Sequence, residues 1–149
     1  TSNADNGQND QVESTNDVNG EELQESNSTD LTENQREKYL QKLNEMEEAD
    51  RYEDAGTSMI ELEEQEKLRY EKWDKELNEI YGILQEQLSE EEMAKLREEQ
   101  RNWITYRDET AKESSLKYEG GSYESLEYVA TQATLTRDRC YLLVSKYMK

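Results

Sequence analysis

Several polar side chains fall where an amphipathic helix should be apolar. Gln100 and Arg107 follow Leu96 by four and eleven residues, in line with Trp103, which places them on the inward face of one helix. Asp74, Asn78 and Tyr81 make a second stripe beside Trp73 and Leu77, and Thr136 and Arg137 interrupt an apolar series near the C-terminus. Burying an unpaired guanidinium or carboxylate is costly, so these groups must find one another. The spacing predicts that Asp74 and Asn78 hydrogen-bond Arg107 or Arg137, with Gln100 completing a buried network that fixes helix register. The alternative is that the same side chains line a small-ligand pocket.

Catalytic chemistry has little to work with. The chain has 149 residues, no His, and one cysteine, Cys140. An internal disulfide, a Cys/His zinc site and a Ser-His-Asp triad are therefore excluded, and the commonest general base is missing. Acids are plentiful, but no pair stands out from the surface charge, so neither an enzyme, a metal nor a cofactor is expected. With 37 acidic against 18 basic residues the formal charge is −19, and no basic stripe is present to replace counterions on phosphates, which excludes nucleic acid. The longest apolar run is Cys140 to Val144, far short of the roughly 20 residues of a membrane helix.

The elements that position these residues are helices. Thr32 with Gln35, Ser58 with Glu61, and Ser89 with Glu92 each set a hydroxyl three residues ahead of Glu or Gln, the reciprocal cap of a helix start, and Ser122 after Gly120-Gly121 makes a fourth cap. Helices are predicted over 32–53, 58–88, 90–118 and 122–148, with glycine at two of the joints. Trp73, Leu77, Ile80, Leu84 and Leu88 share one face of the second helix; Leu96, Trp103 and Thr110 do so in the third, and Leu126, Val129, Ala133, Cys140, Val144 and Tyr147 in the fourth. Tyr39, Leu43 and Met46 give the first helix a thinner stripe, so it should pack more loosely. The expected fold is all-α, an antiparallel helical bundle of three to four helices.

Charge locates a boundary. Residues 1–30 hold eight acids, no Lys or Arg and four apolar residues, whereas residues 31–149 hold 29 acids against 18 bases, a net −11. The first stretch cannot offset the entropy of ordering, so residues 1–31 are expected to be a disordered acidic linker ahead of a domain at 32–149. Ser2-Asn3-Ala4 reads as the scar of tag removal, which implies that the natural N-terminus, with any signal or anchor it carried, has been cut away.

Taken together, the blocks Tyr70-x-x-Trp73-Asp74-x-x-Leu77-Asn78-x-x-Tyr81-x-x-Leu84, Leu96-Arg97-x-x-Gln100-x-x-Trp103-x-x-x-Arg107-Asp108, Gly120-Gly121-Ser122 and Leu135-Thr136-Arg137 closely resemble the LprI-type family, associated with lysozyme inhibition. The resemblance covers roughly residues 57–147. It implies a small helical domain, exported and often lipid-anchored in bacteria, without catalysis, that contacts the membrane only through an N-terminal lipid. Many members carry cysteines after the Arg-Asp pair and in the last helix. Here Glu109, Thr110 and Ala111 follow Arg107-Asp108 and only Cys140 remains, which is similar to versions from Gram-positive bacteria. In such a protein the linker, treated as a flexible coil, would hold the domain roughly 30 Å from the membrane.

Alternating helices place the 54–57 and 118–122 joints at one end, away from the linker. There Lys117, Tyr118, Gly120, Gly121, Ser122 and Tyr123 combine two tyrosines with a glycine pair, a composition suited to protein recognition. Two roles follow: an extracytoplasmic protein that binds a cationic lysozyme-like hydrolase, or a cell-envelope adaptor that docks another protein on its helices.

Overall fold

A computed structural model of the chain describes residues 35–149, and the linker at 1–31, the scar at 2–4 and the Thr32 cap lie outside the described residues. Among the described residues four α-helices follow one another: α1 (residues 35–51), α2 (Met59–Gln87), α3 (Glu90–Ser115) and α4 (Tyr123–Tyr147), with a 3₁₀ turn, Leu116–Tyr118, between the last two. The starts of α2 and α3 are set by local chemistry. Ser58 and Ser89 have extended backbones, accept from the amides of Glu61 and Glu92, and receive those glutamates' carboxylates on their own N–H groups. Two otherwise orphaned donors are satisfied at each helix start.

Ser122 corrects the fourth expected cap. Its backbone is already helical (φ −73°, ψ −16°) and its hydroxyl makes no capping bond. Instead the carboxylate of Glu124 reaches back to the amide of Gly120 at 3.1 Å. Gly120 itself sits at φ +81°, the left-handed region where any Cβ is strained.

Neighbouring helices run antiparallel, and the closest packing is between the like-directed α2 and α4. Glu63 meets Ser125, Arg69 meets Thr134, and the Cys140 thiol donates to the Trp73 carbonyl at 3.6 Å. Trp73, Ile80, Leu84, Cys140, Leu143 and Val144 are completely buried along that seam. Burial pushes the Cys140 thiol far above its ordinary value, with Glu76 and Asp74 adding to the effect, so it is inert in the fold. α3 closes one flank, chiefly against α4.

α1 closes the opposite flank and is held more firmly than its thin stripe predicted. Leu43 is fully buried in the shared core. Around it, Tyr39 donates to Glu79 at 2.7 Å, the Trp73 indole donates to Asp50 at 2.7 Å, Lys72 pairs with the same carboxylate, and the Tyr141 hydroxyl bonds Asn44 and Glu47. The polar residues of α1 thus supply contacts that an apolar count misses. Leu43→Ala should lower the unfolding free energy by roughly 2–5 kcal/mol in urea denaturation. Leu68→Ala, at a side chain 56% exposed on α2, should change it by no more than about 0.5 kcal/mol; equal effects would show α1 to be loosely docked.

Candidate functional site

Two places gather the residues singled out by the sequence. The first is a seam of cations and aromatic rings where α3 meets α2 and α4. Arg107, 8% exposed, lies over the rings of Tyr70 (5.4 Å) and Trp103 (5.1 Å), and a second guanidinium, Arg139, lies 5.5 Å from the Trp103 centroid. A delocalised, weakly hydrated guanidinium suits such stacking better than an ammonium would.

Hydrogen bonds fix the seam in a pattern different from the expected one. The Arg107 Nε donates to Asp108 at 2.9 Å, and Gln132 of α4 donates to the same carboxylate at 3.0 Å. Gln100 accepts from Arg139 Nε at 3.0 Å, while Glu99 receives the Tyr147 hydroxyl at 2.8 Å. Among the described residues no hydrogen bond joins Asp74 or Asn78 to Arg107 or Arg137. Arg137 turns to the other flank, where it pairs with Asp138 and Glu47. The inward cation of α4 is Arg139, and helix geometry gives the reason: Arg139 follows Thr136, which is fully buried, by three residues, whereas Arg137 is a single step and about 100° away.

Not every demand of this seam is met. The Thr136 hydroxyl and Arg139 Nη2 are buried without a hydrogen-bond partner among the described residues, although Nη2 lies 3.5 Å from a Glu99 oxygen. Burial accordingly lowers the proton affinity of Arg139, with Glu99 opposing. At Asp108 burial works against the charged form, but the bonds from Arg107 and Gln132 outweigh it and hold the carboxyl below its ordinary value.

The second place is the end of the bundle that carries the α1–α2 and α3–α4 joints. Tyr118 and Tyr123 pair at 5.8 Å between ring centroids across the Gly120-Gly121 turn, and both remain about half exposed, as does Leu116. The Gly121 amide donates to the Tyr118 carbonyl at 2.8 Å, so the turn is braced and the tyrosines are displayed on a defined frame. Lys117 and Ser122 are exposed beside them. The Glu63–Ser125 bond holds the two joints side by side, which adds Tyr52 and Ile60, among the most exposed large apolar side chains, to the same end. Neither was expected from the sequence. Their only signal there was lying off the apolar stripes. The α1–α2 joint is braced too, because Gln65 bonds both the Gly56 amide and the Asp54 carbonyl, and a Cβ at Gly56 would lie 2.6 Å from that of Glu61.

Among the described residues no group of three or more His, Cys, Asp and Glu side chains is placed to hold a metal ion, and no helix is long and apolar enough to cross a membrane. The described residues thus form an all-α bundle with a stacked cation seam on one flank and half-exposed tyrosines at one end. The chain belongs to the lysozyme inhibitor LprI family, whose model matches residues 49–143, from the end of α1 through most of α4. No curated protein and no solved structure gave a match.

Acid stability reports on the seam. A carboxyl held below its unfolded value contributes stability above that value, about pH 4, and loses it as pH falls through the depressed one. Asp108→Asn should therefore make the loss of unfolding free energy below about pH 4 shallower than in the parent chain; an unchanged acid limb would contradict the Arg107–Asp108–Gln132 arrangement.

Proposed function

We propose that the protein is a non-catalytic, extracytoplasmic inhibitor of a lysozyme-like cell-wall hydrolase, and that it contacts the enzyme through the end bearing Lys117, Tyr118, Gly120, Gly121, Ser122 and Tyr123. The match to the lysozyme inhibitor family over residues 49–143 carries this reading. Three features support it. Tyrosine supplies large, rigid contact area with a polar tip, and here the tyrosines stand on a braced turn at the far end from the start of α1. A glycosidase cleft holds two carboxylates, for which tyrosine and serine hydroxyls and the Lys117 ammonium are suitable partners. A charge of −11 on residues 31–149 would speed encounter with a cationic enzyme. In this reading residues 1–31 tether the domain to a lipid anchor upstream, on the surface of a Gram-positive cell.

Turbidity clearing of purified peptidoglycan by a cationic lysozyme tests the proposal. The full chain should slow clearing in a dose-dependent way, and added salt should weaken the effect as charges are screened. Replacing Tyr118, Ser122 and Tyr123 together by Ala should raise the half-inhibitory concentration roughly tenfold or more with an unchanged melting temperature. Unimpeded clearing at saturating protein would overturn the inhibitor reading. Tight binding of the enzyme without inhibition would point to an envelope adaptor instead.

A further inference from the structure

Midway along the bundle, α2 and α3 leave between them a cleft of about 210 Å³, remote from the tyrosine-bearing end. Its polar lining has unused hydrogen-bonding capacity. Among the described residues the Asp74 carboxylate and the Asn78 amide make no hydrogen bond. Gln100 uses its oxygen on Arg139 and keeps its two N–H donors, and Arg107 uses only Nε, on Asp108. The Trp103 indole N–H likewise has no acceptor among them. None of these atoms is both sealed from solvent and unpartnered, so their free donors and acceptors open toward the cleft or bulk water. The rest of the lining is apolar: Leu77, Tyr81, the Trp103 ring and Ile104, the last 41% exposed.

This combination selects among ligand classes. A purely apolar occupant would desolvate the Asp74 carboxylate and the remaining Arg107 N–H donors without pairing them. A phosphate group would meet the Asp74 carboxylate as well as the Arg107 cation. The volume is below the roughly 300–1,000 Å³ of sites for drug-sized ligands, which limits the occupant to about one ring. A pyranose satisfies every wall, because it carries hydroxyls that both donate and accept around its rim and C–H groups on its faces. We propose that this cleft binds one pyranose ring of a glycan, with its hydroxyls on Asp74, Asn78, Gln100 and Arg107 and a C–H face against the Trp103 ring and Ile104. The site is independent of the hydrolase contact.

The two tryptophans make the test specific, since Trp73 donates to Asp50 on the opposite flank of α2 and serves as an internal control. In ¹H–¹⁵N spectra of the full chain titrated with N-acetylglucosamine or its β-1,4 trimer, the Trp103 indole signal should shift in a saturable manner while that of Trp73 stays in place. Asn78→Ala and Ile104→Asp, both at exposed positions, should weaken trimer binding roughly tenfold or more without moving the melting temperature. The Tyr118, Ser122 and Tyr123 triple variant should titrate like the parent, which separates this result from any failure of the inhibitor reading. The proposal is overturned if neither sugar moves the Trp103 signal, if both indoles move alike, or if acetate alone reproduces the shift, which would mark a carboxylate site.

Discussion

Everything in this bundle depends on α2 and α4 packing side by side in the same direction. In an up-down-up-down chain these two helices are separated by a third, and their direct contact through Trp73, Ile80, Cys140 and Val144 forces the others to opposite flanks. α3 must run back along the whole length of the pair to connect them, and α1 fills the remaining side. Because α3 packs chiefly on α4, its α2-facing edge is left as the cleft lined by Asp74, Asn78 and Gln100. The same topology brings the two braced joints together at one end. The cleft and the tyrosine end are therefore both consequences of one packing choice.

The polar residues embedded in this frame act through stacking as much as through ion pairing. Trp103 is flanked by the guanidinium groups of Arg107 and Arg139, and Tyr70 lies against the first of them. Such an arrangement holds each cation between an aromatic face on one side and a single carboxylate on the other. Asp108 and Glu99 sit at the rim, where they are partly hydrated. The seam ties α3 to α4 with directional contacts in a chain whose single cysteine leaves no internal cross-link possible. The Thr136 hydroxyl and Arg139 Nη2, buried without a hydrogen bond among the described residues, show that it does so at some cost.

Much of this was legible in the sequence because it is local. Ser58 with Glu61 and Ser89 with Glu92 announce helix starts through a bond spanning three residues, and the structure starts those helices at Met59, one residue past the expected 58, and at the expected Glu90. The buried stripe of α2 follows from its spacing alone. Ser122 lacks a Glu or Gln three residues on, and without that partner the backbone there turns helical early. What the sequence hid is long-range. The bond from Trp73 to Asp50 joins two helices, so nothing near either residue signals it, and α1 looked weaker than it is. The inward cation of α4 lies at Arg139, two residues beyond the expected Arg137, a displacement that a stripe already interrupted by Thr136 is too coarse to resolve. The blocks that mark the family were readable, yet only the folded chain places Asp74, Asn78, Gln100 and Arg107 around one cleft without bonding them to each other.

The central functional claim is that partner recognition belongs to the end of the bundle where the two braced joints meet. Hydrogen–deuterium exchange of the full chain, with and without a saturating cationic lysozyme, tests it most directly. The account predicts added protection concentrated in residues 52–60 and 116–125, with the middle of α2 and α3 unchanged. Protection confined to residues 74–81 and 100–107, or none in the two joints, would contradict it.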